Sequence, residues 1–214
     1  MPFTRPRTIL VPIIIAINIF VYLAWNAPAL GLTEFLARNC LVSYAGLQEG
    51  RYFPLLGSVF SHEGLFHLLV NMFVLNSFGT LLELVLGRRA FLSFYLIAGV
   101  VASLSHCLVS NFILHAPELN ALGASGAIAG LVVVFSFLFP KEKLLLFGFI
   151  PVPAFLGAFL VVGLDIWGLM AQVRGGGFPI GYGAHLGGAA AGLVYYLVAL
   201  RGLRARLNAG TREA

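Results

Sequence analysis

The chain has 214 residues, of which 60% are hydrophobic and only 10% charged. A soluble domain carries roughly 25% charged residues, so this composition excludes one, and it excludes a disordered tail as well. Two cysteines exclude a disulfide-built secreted module. The net charge is +5, from thirteen basic and eight acidic residues.

Six stretches contain no Asp, Glu, Lys or Arg: residues 8–33, 64–82, 90–117, 119–140, 144–164 and 175–200. Each is near the ~20 apolar residues that cross a bilayer as a helix. The expectation is an all-α polytopic membrane protein with six transmembrane helices. The positive-inside rule sets its orientation. With the N-terminus inside, Arg5, Arg7, Arg88, Arg89, Lys141, Lys143, Arg201, Arg204, Arg206 and Arg212 fall on the cytoplasmic side. Arg38, Arg51 and Arg174 fall outside. Both termini are therefore expected in the cytoplasm, and Arg5 and Arg7 before the first apolar run read as an uncleaved signal anchor. Nucleic-acid binding would need a basic patch on one folded face, which this distribution does not offer.

In chain order, residues 1–8 are a cytoplasmic N-terminus and residues 9–200 form the membrane domain. Within it, helix one is expected from Ile9 to Asn26. Residues 27–62 form an outer loop of mixed polarity that suits the membrane interface. Helix two runs from Glu63 to Leu86, where Gly87 ends it. Helix three covers Ala90–Phe112, and helix four starts at Ser125 and stops at Pro140. Helix five is expected over Leu144–Asp165, perturbed early by Pro151 and Pro153. Helix six covers Ala184–Leu200, and residues 201–214 are a basic cytoplasmic tail.

Depth arithmetic singles out a set of polar residues. Helix four has about 15 residues, or ~22 Å, against a hydrocarbon core of ~30 Å, so it must begin inside the membrane. The non-helical stretch 120–124 before it is tolerated there only if buried in protein or lining a wet cavity. Ser125 lies ~24 Å from Lys141 along its helix, as does His185 from Arg201, and Asn71 lies ~26 Å from Arg88. Three polar residues on three helices thus share one depth. His67, four residues before Asn71, shares its face.

Gly126 and Gly130 on helix four, and Ala184, Gly188 and Gly192 on helix six, have the spacing that lets two helix backbones approach closely. Ser125 and His185 flank that seam. A Ser hydroxyl within reach of an imidazole is an activated nucleophile, and His can pass the proton on to a leaving amine. His67 and Asn71 could then donate to a developing oxyanion.

At these residues the chain resembles the rhomboid family of intramembrane serine proteases. The carriers are Gly123-Ala124-Ser125-Gly126, Ala184-His185-Leu186-Gly187-Gly188, and His62, His67 and Asn71. The resemblance implies a six-helix bundle with a Ser125–His185 dyad and no third acid. It implies an oxyanion hole made by the Ser125 backbone N–H with the side chains of His67 and Asn71. Gly123, Gly126, His62, Glu83 and Gly188 are implied as structural support. The implied partners are single-pass transmembrane substrates and the lipid bilayer, with no nucleic acid, cofactor or metal. The phrasing around residues 60–78 and 123–128 is most similar to the mitochondrial, presenilin-associated branch. This chain lacks that branch's additional N-terminal helix, so a bacterial inner membrane is expected.

Two positions depart from the family pattern. Where many members have a Trp-Arg pair in the first outer loop, this chain has Phe53-Pro54, with Arg51 nearby, which leaves the anchoring of the loop open. Where some members have a Tyr packed on the catalytic His, this chain has Ala129, which leaves the orientation of the imidazole open.

His106 and His115 read as structural residues of the outer edge. Glu83 and Asp165 are intramembrane or rim acids, which are functional suspects by default; Glu83 is expected to tie down helix two near Arg88, and Asp165 sits near the outer end of helix five. Cys40 and Cys107 form no framework. Rival chemistries fail on spacing. His62 and His67 are five apart rather than the four a zinc helix requires. Asp165 is the only Asp in the chain, which excludes an aspartyl dyad. Lys141 and Lys143 sit at the opposite membrane face from Ser125. A catalytically silent protein that binds transmembrane helices remains an alternative, as does a small transporter using Glu83 and Asp165. The transporter would need paired broken helices in two related halves, which are not found.

Overall fold

Charge placement decides where the first helix begins. Helix α1 (Leu10–Trp25) has no side-chain cap of its own. The carboxylate of Glu83 supplies one from elsewhere in the chain, accepting from the backbone N–H groups of Ile9, Leu10 and Val11 at 2.8, 3.0 and 3.0 Å. A negative charge satisfies the exposed donors and the positive end of the helix dipole together. Arg88 lies 3.9 Å from the same carboxylate. The structural role expected for Glu83 thus takes a specific form.

This computed structural model describes residues 8–146 and 150–204. The basic ends expected at residues 1–8 and 201–214 fall largely outside the described residues. After α1 the chain makes short helices α2 (Thr33–Cys40), α3 (Tyr44–Gln48) and α4 (Pro54–Gly57). Next, α5 (Leu65–Val74), a π-helical turn (Leu75–Gly79) and α6 (Thr80–Leu86) run on as one 22-residue span. Gly87, with φ at +80°, turns the chain into α7 (Arg88–Phe112). Helix α8 (Ser125–Leu138) follows, and α9 (Ala154–Val173) comes after a two-stranded hairpin. Helix α10 (Tyr182–Tyr195) continues through a π-helical turn to Arg204. The protein is an all-α polytopic membrane protein. Four of its helical spans are long and apolar enough to cross a bilayer, and Leu10–Trp25 and Ser125–Leu138 are shorter apolar helices.

Helix α8 is the hub. Ten of its fourteen residues are buried, among them Leu131, Val134 and Phe135, so its shortness matters little because protein, not lipid, surrounds it. Its partner across the closest seam is α10. A methyl built at Gly192 would lie 2.5 Å from the Gly130 carbonyl oxygen, and one at Gly130 would lie 2.8 Å from that of Gly188. Gly188 in turn packs directly on the backbone of Gly126. The small-residue seam read from the sequence is therefore real.

Helix five differs from its expected position. Residues Lys143–Leu146 (β1) and Ile150–Pro153 (β2) pair as an antiparallel hairpin, with Lys143 opposite Pro153. Pro151 and Pro153 lack the N–H that a helix interior requires, and their rings clash with the preceding turn. The helix can therefore start only at Ala154, and it runs on to Val173. Asp165 then stands eight residues before the helix end, ~12 Å along the axis, not at the rim.

The connection between α1 and α5 packs on the bundle through buried Val42, Ser43, Ser58, Ser61 and His62. No Trp-Arg anchor is needed. The indole of Trp25 donates to Ser61 Oγ at 2.7 Å, and Ser58 Oγ and Ser103 Oγ lie 3.2 Å apart. Arg51 pairs with neighbouring Glu49 at 2.9 Å.

Candidate active site

Ser125 opens α8, preceded by a loop that other elements hold in place. Val42 and Ala121 exchange backbone hydrogen bonds of 3.0 and 2.8 Å, Ala45 N–H donates to Pro117 at 3.0 Å, and Gly123 N–H donates to Ser58 at 2.8 Å. The α1–α5 connection thus clamps the approach to Ser125. These bonds answer how extended backbone can sit at membrane depth, since its polar groups are satisfied within the protein. Gly123 takes φ +130°, and a methyl there would stand 3.0 Å from His67 Cε1.

His185 sits near the start of α10, which Ser105 fastens by donating to the Gly183 carbonyl at 2.7 Å. The loop before it is tied to α9 by Gln172, whose amide donates to the carbonyls of Phe178 and Ile180, both at 2.9 Å. Across the glycine seam, His185 Nε2 lies 2.9 Å from Ser125 Oγ. On the other side of the ring, His185 Nδ1 lies 2.9 Å from Asp165 Oδ1. The resemblance implied no third acid, and this is corrected by Asp165 beside the His185 ring, deeper than the outer helix end near which the sequence put it. The reason is the later start of α9, which brings Asp165 to the depth of the imidazole. The signal was present in the sequence, because an ionisable residue within an apolar span is a functional suspect by default.

The other residues of the set gather here too. His67, Asn71, Gly123, Ser125, Gly126, Asp165, His185 and His62 all line one cavity of about 1480 Å³. Asn71 is buried and donates one amide hydrogen to the His67 carbonyl at 2.8 Å, which leaves its second donor for the cavity. His67 packs edge-on against His62, with ring centroids 4.9 Å apart. His62 is 1% exposed, and neither of its ring nitrogens has a hydrogen-bond partner among the described residues. Burial, reinforced by neighbouring His67, pushes its pKa down to about 3, so it stays neutral.

His106 is buried against the Leu119 carbonyl, 2.9 Å from Nε2, and His115 is exposed. Cys40 and Cys107 are both free and buried. Chemically, a serine hydroxyl donating to a neutral imidazole, at a helix amino end and in a mostly apolar cavity, can deliver an alkoxide-like nucleophile. The same helix end can stabilise the negative charge that develops on a substrate.

The chain matches the Rhomboid domain family over residues 49–202. It is 36% identical over 197 residues to "Rhomboid protein 1, mitochondrial" of Saccharomyces cerevisiae, covering 90% of this chain and 53% of that protein. It is 31% identical over 197 residues to "RHOMBOID-like protein 12, mitochondrial" of Arabidopsis thaliana, covering 86% and 56%. With the human "Presenilin-associated rhomboid-like protein, mitochondrial" it shares 30% identity over 190 residues, covering 85% and 46%. The chain spans about half the length of the curated relatives it matches.

Proposed function

The chain belongs to the rhomboid family, and on that premise we propose that it is an intramembrane serine endopeptidase acting on single-pass transmembrane proteins. The observation that carries this reading is the 2.9 Å approach of Ser125 Oγ to His185 Nε2 inside the cavity.

Ser125 Oγ attacks the scissile carbonyl while its proton passes to His185 Nε2. The oxyanion of the tetrahedral intermediate is held by the Ser125 N–H at the amino end of α8, by His67 and by Asn71. The C–N bond then breaks, His185 gives its proton to the leaving amine, and an ester remains on Ser125. Water attacks that ester with His185 again taking a proton, which releases the carboxylic acid product and restores the serine.

Entry from the side fits the cavity's lining, which includes Phe66, Val70 and Phe78 from the α5–α6 span and Gly157, Ala158 and Val161 from α9. These apolar residues suit a transmembrane helix arriving from lipid. Helix α9 together with the α1–α5 connection is the gate. The protein resides in an inner membrane with its basic ends on the cytoplasmic or matrix-equivalent side, and it cleaves near the opposite face. The phrasing around residues 60–78 and 123–128 is most similar to the mitochondrial branch, and the relatives above are named as mitochondrial.

The test is reconstitution of the purified protein in liposomes with a tagged single-pass transmembrane substrate, and mass analysis of the products. Wild-type protein should release two fragments cut at one site, and Ser125→Ala none. Substrate retained intact by wild type would point instead to a catalytically silent helix binder.

A further inference from the structure

The imidazole of His185 has two nitrogens and two partners, and in the neutral ring one assignment of protons satisfies both. An ionised carboxylate accepts hydrogen bonds and cannot donate them. Facing Asp165 Oδ1 at 2.9 Å, Nδ1 must therefore carry the ring proton. In the neutral ring this leaves Nε2 with a lone pair, directed at Ser125 Oγ 2.9 Å away. The opposite tautomer would put two lone pairs together at Nδ1 and leave Nε2 unable to accept the serine proton.

We infer that Asp165 is a positioning residue that fixes the tautomer and ring orientation of His185, so that the site is a membrane-embedded Ser125–His185–Asp165 triad. The inference rests on the protease reading for its catalytic consequence, but its structural content stands on the two hydrogen bonds.

Three further observations support it. Asp165 is 7% exposed on a helix otherwise rich in lipid-facing residues such as Phe159, Leu164, Ile166 and Trp167. A buried carboxylate is costly there unless paired, and the His185 ring is its hydrogen-bond partner. Ala129, one turn after the nucleophile and also lining the cavity, offers only a methyl group and no ring to hold the imidazole. Finally, Gly168, one turn beyond Asp165, receives the ring of Tyr182 directly against its Cα, which locks this part of α9 onto the start of the helix that bears His185. The groups that face His185 are Asp165 from α9, Ser125 from α8 and, on the cavity side, His67 from α5.

The test uses full-length protein in detergent micelles or nanodiscs, labelled with nitrogen-15 at histidine. In wild type and in Ser125→Ala, one histidine should show a protonated Nδ1, with its proton far downfield and slow to exchange. That signal should be absent in Asp165→Asn and in His185→Ala. In parallel, Asp165→Asn should react with a fluorophosphonate serine probe roughly 100- to 10,000-fold more slowly than wild type, as expected when the imidazole loses its orienting carboxylate. Asp165→Glu should recover part of that loss. Unchanged elution and thermal unfolding of Asp165→Asn would separate positioning from folding. The inference is overturned if His185 is protonated at Nε2 in wild type, or if folded Asp165→Asn keeps the Nδ1 signal or reacts at the wild-type rate. Should wild type neither react with the probe nor cleave a transmembrane peptide, the protease reading falls, and the nitrogen-15 signal still decides whether Asp165 sets the tautomer.

Discussion

Gly188 on α10 rests directly on the backbone of Gly126 on α8, with no space between them for a β-carbon. This contact lies one residue from Ser125 and three from His185, so it sets how far apart the two reacting groups stand. A larger side chain at either position must push the helices apart. Gly188→Ala is predicted to destabilise the protein by about 1–3 kcal/mol, the usual range for overpacking. Where it still folds, it should lose most of its reactivity, because a displacement of about 1 Å at a reacting pair can cost ~100-fold. Thermal unfolding and probe labelling on the same preparation would separate the two effects.

Glu83 is predicted to matter for stability rather than chemistry. Its carboxylate satisfies three backbone donors at the start of α1. Glu83→Ala strands donors that are partly or wholly buried, at about 1–3 kcal/mol for a single unsatisfied group. Glu83→Gln keeps a neutral acceptor and should cost about 1 kcal/mol, in the range of a lost charge at a helix end. Thermal midpoints in one detergent should rank wild type above Gln above Ala, with the specific activity of folded protein largely retained.

Gly123 joins the loop before Ser125 to the His67 side of the cavity. Its φ of +130° is strained for any L residue, and a methyl there meets the His67 ring at 3.0 Å. Gly123→Ala is predicted to lower probe reactivity at least ~10-fold, while costing about 1–3 kcal/mol of stability from backbone strain. A labelling rate equal to wild type would show that the His67 side of the cavity is not used.

His62 makes the fold acid-sensitive. With its folded pKa near 3 and an unfolded value near 6.5, the unfolded state binds a proton that the folded state refuses. Stability is therefore full above about pH 6.5 and declines as the pH falls from there towards 3. The thermal midpoint of wild type should drop between pH 7.5 and 4.5, and that of His62→Leu should drop less. An equal drop in both would remove His62 as the cause.

Most of the architecture was legible because lipid imposes a simple rule, that charges stay out of spans. The stop at Gly87 was readable from the glycine itself, and the seam from the four-residue spacing of small residues. Equal distances of Ser125 and His185 from basic anchors put the two at one depth without any contact being known, and the structure sets them 2.9 Å apart. Helix five was misplaced because an apolar run cannot distinguish a helix from a hairpin over Lys143–Pro153, and the two prolines were read as a perturbation rather than a boundary. That single shift moved Asp165 from the expected outer end of helix five to a position eight residues before the end of α9, where it meets His185. The anchoring of the α1–α5 connection was also invisible, since Val42 with Ala121 and Gly123 with Ser58 pair through backbone atoms that side-chain patterns do not report.

The most direct test of the central claim is covalent labelling of purified, folded protein by a fluorophosphonate probe, with Ser125→Ala and His185→Ala alongside. One residue should be modified in wild type, mapped to Ser125 by peptide mass analysis, with no labelling in either variant. Labelling that persists in Ser125→Ala, or a wild type that neither labels nor cleaves a transmembrane peptide, would contradict it.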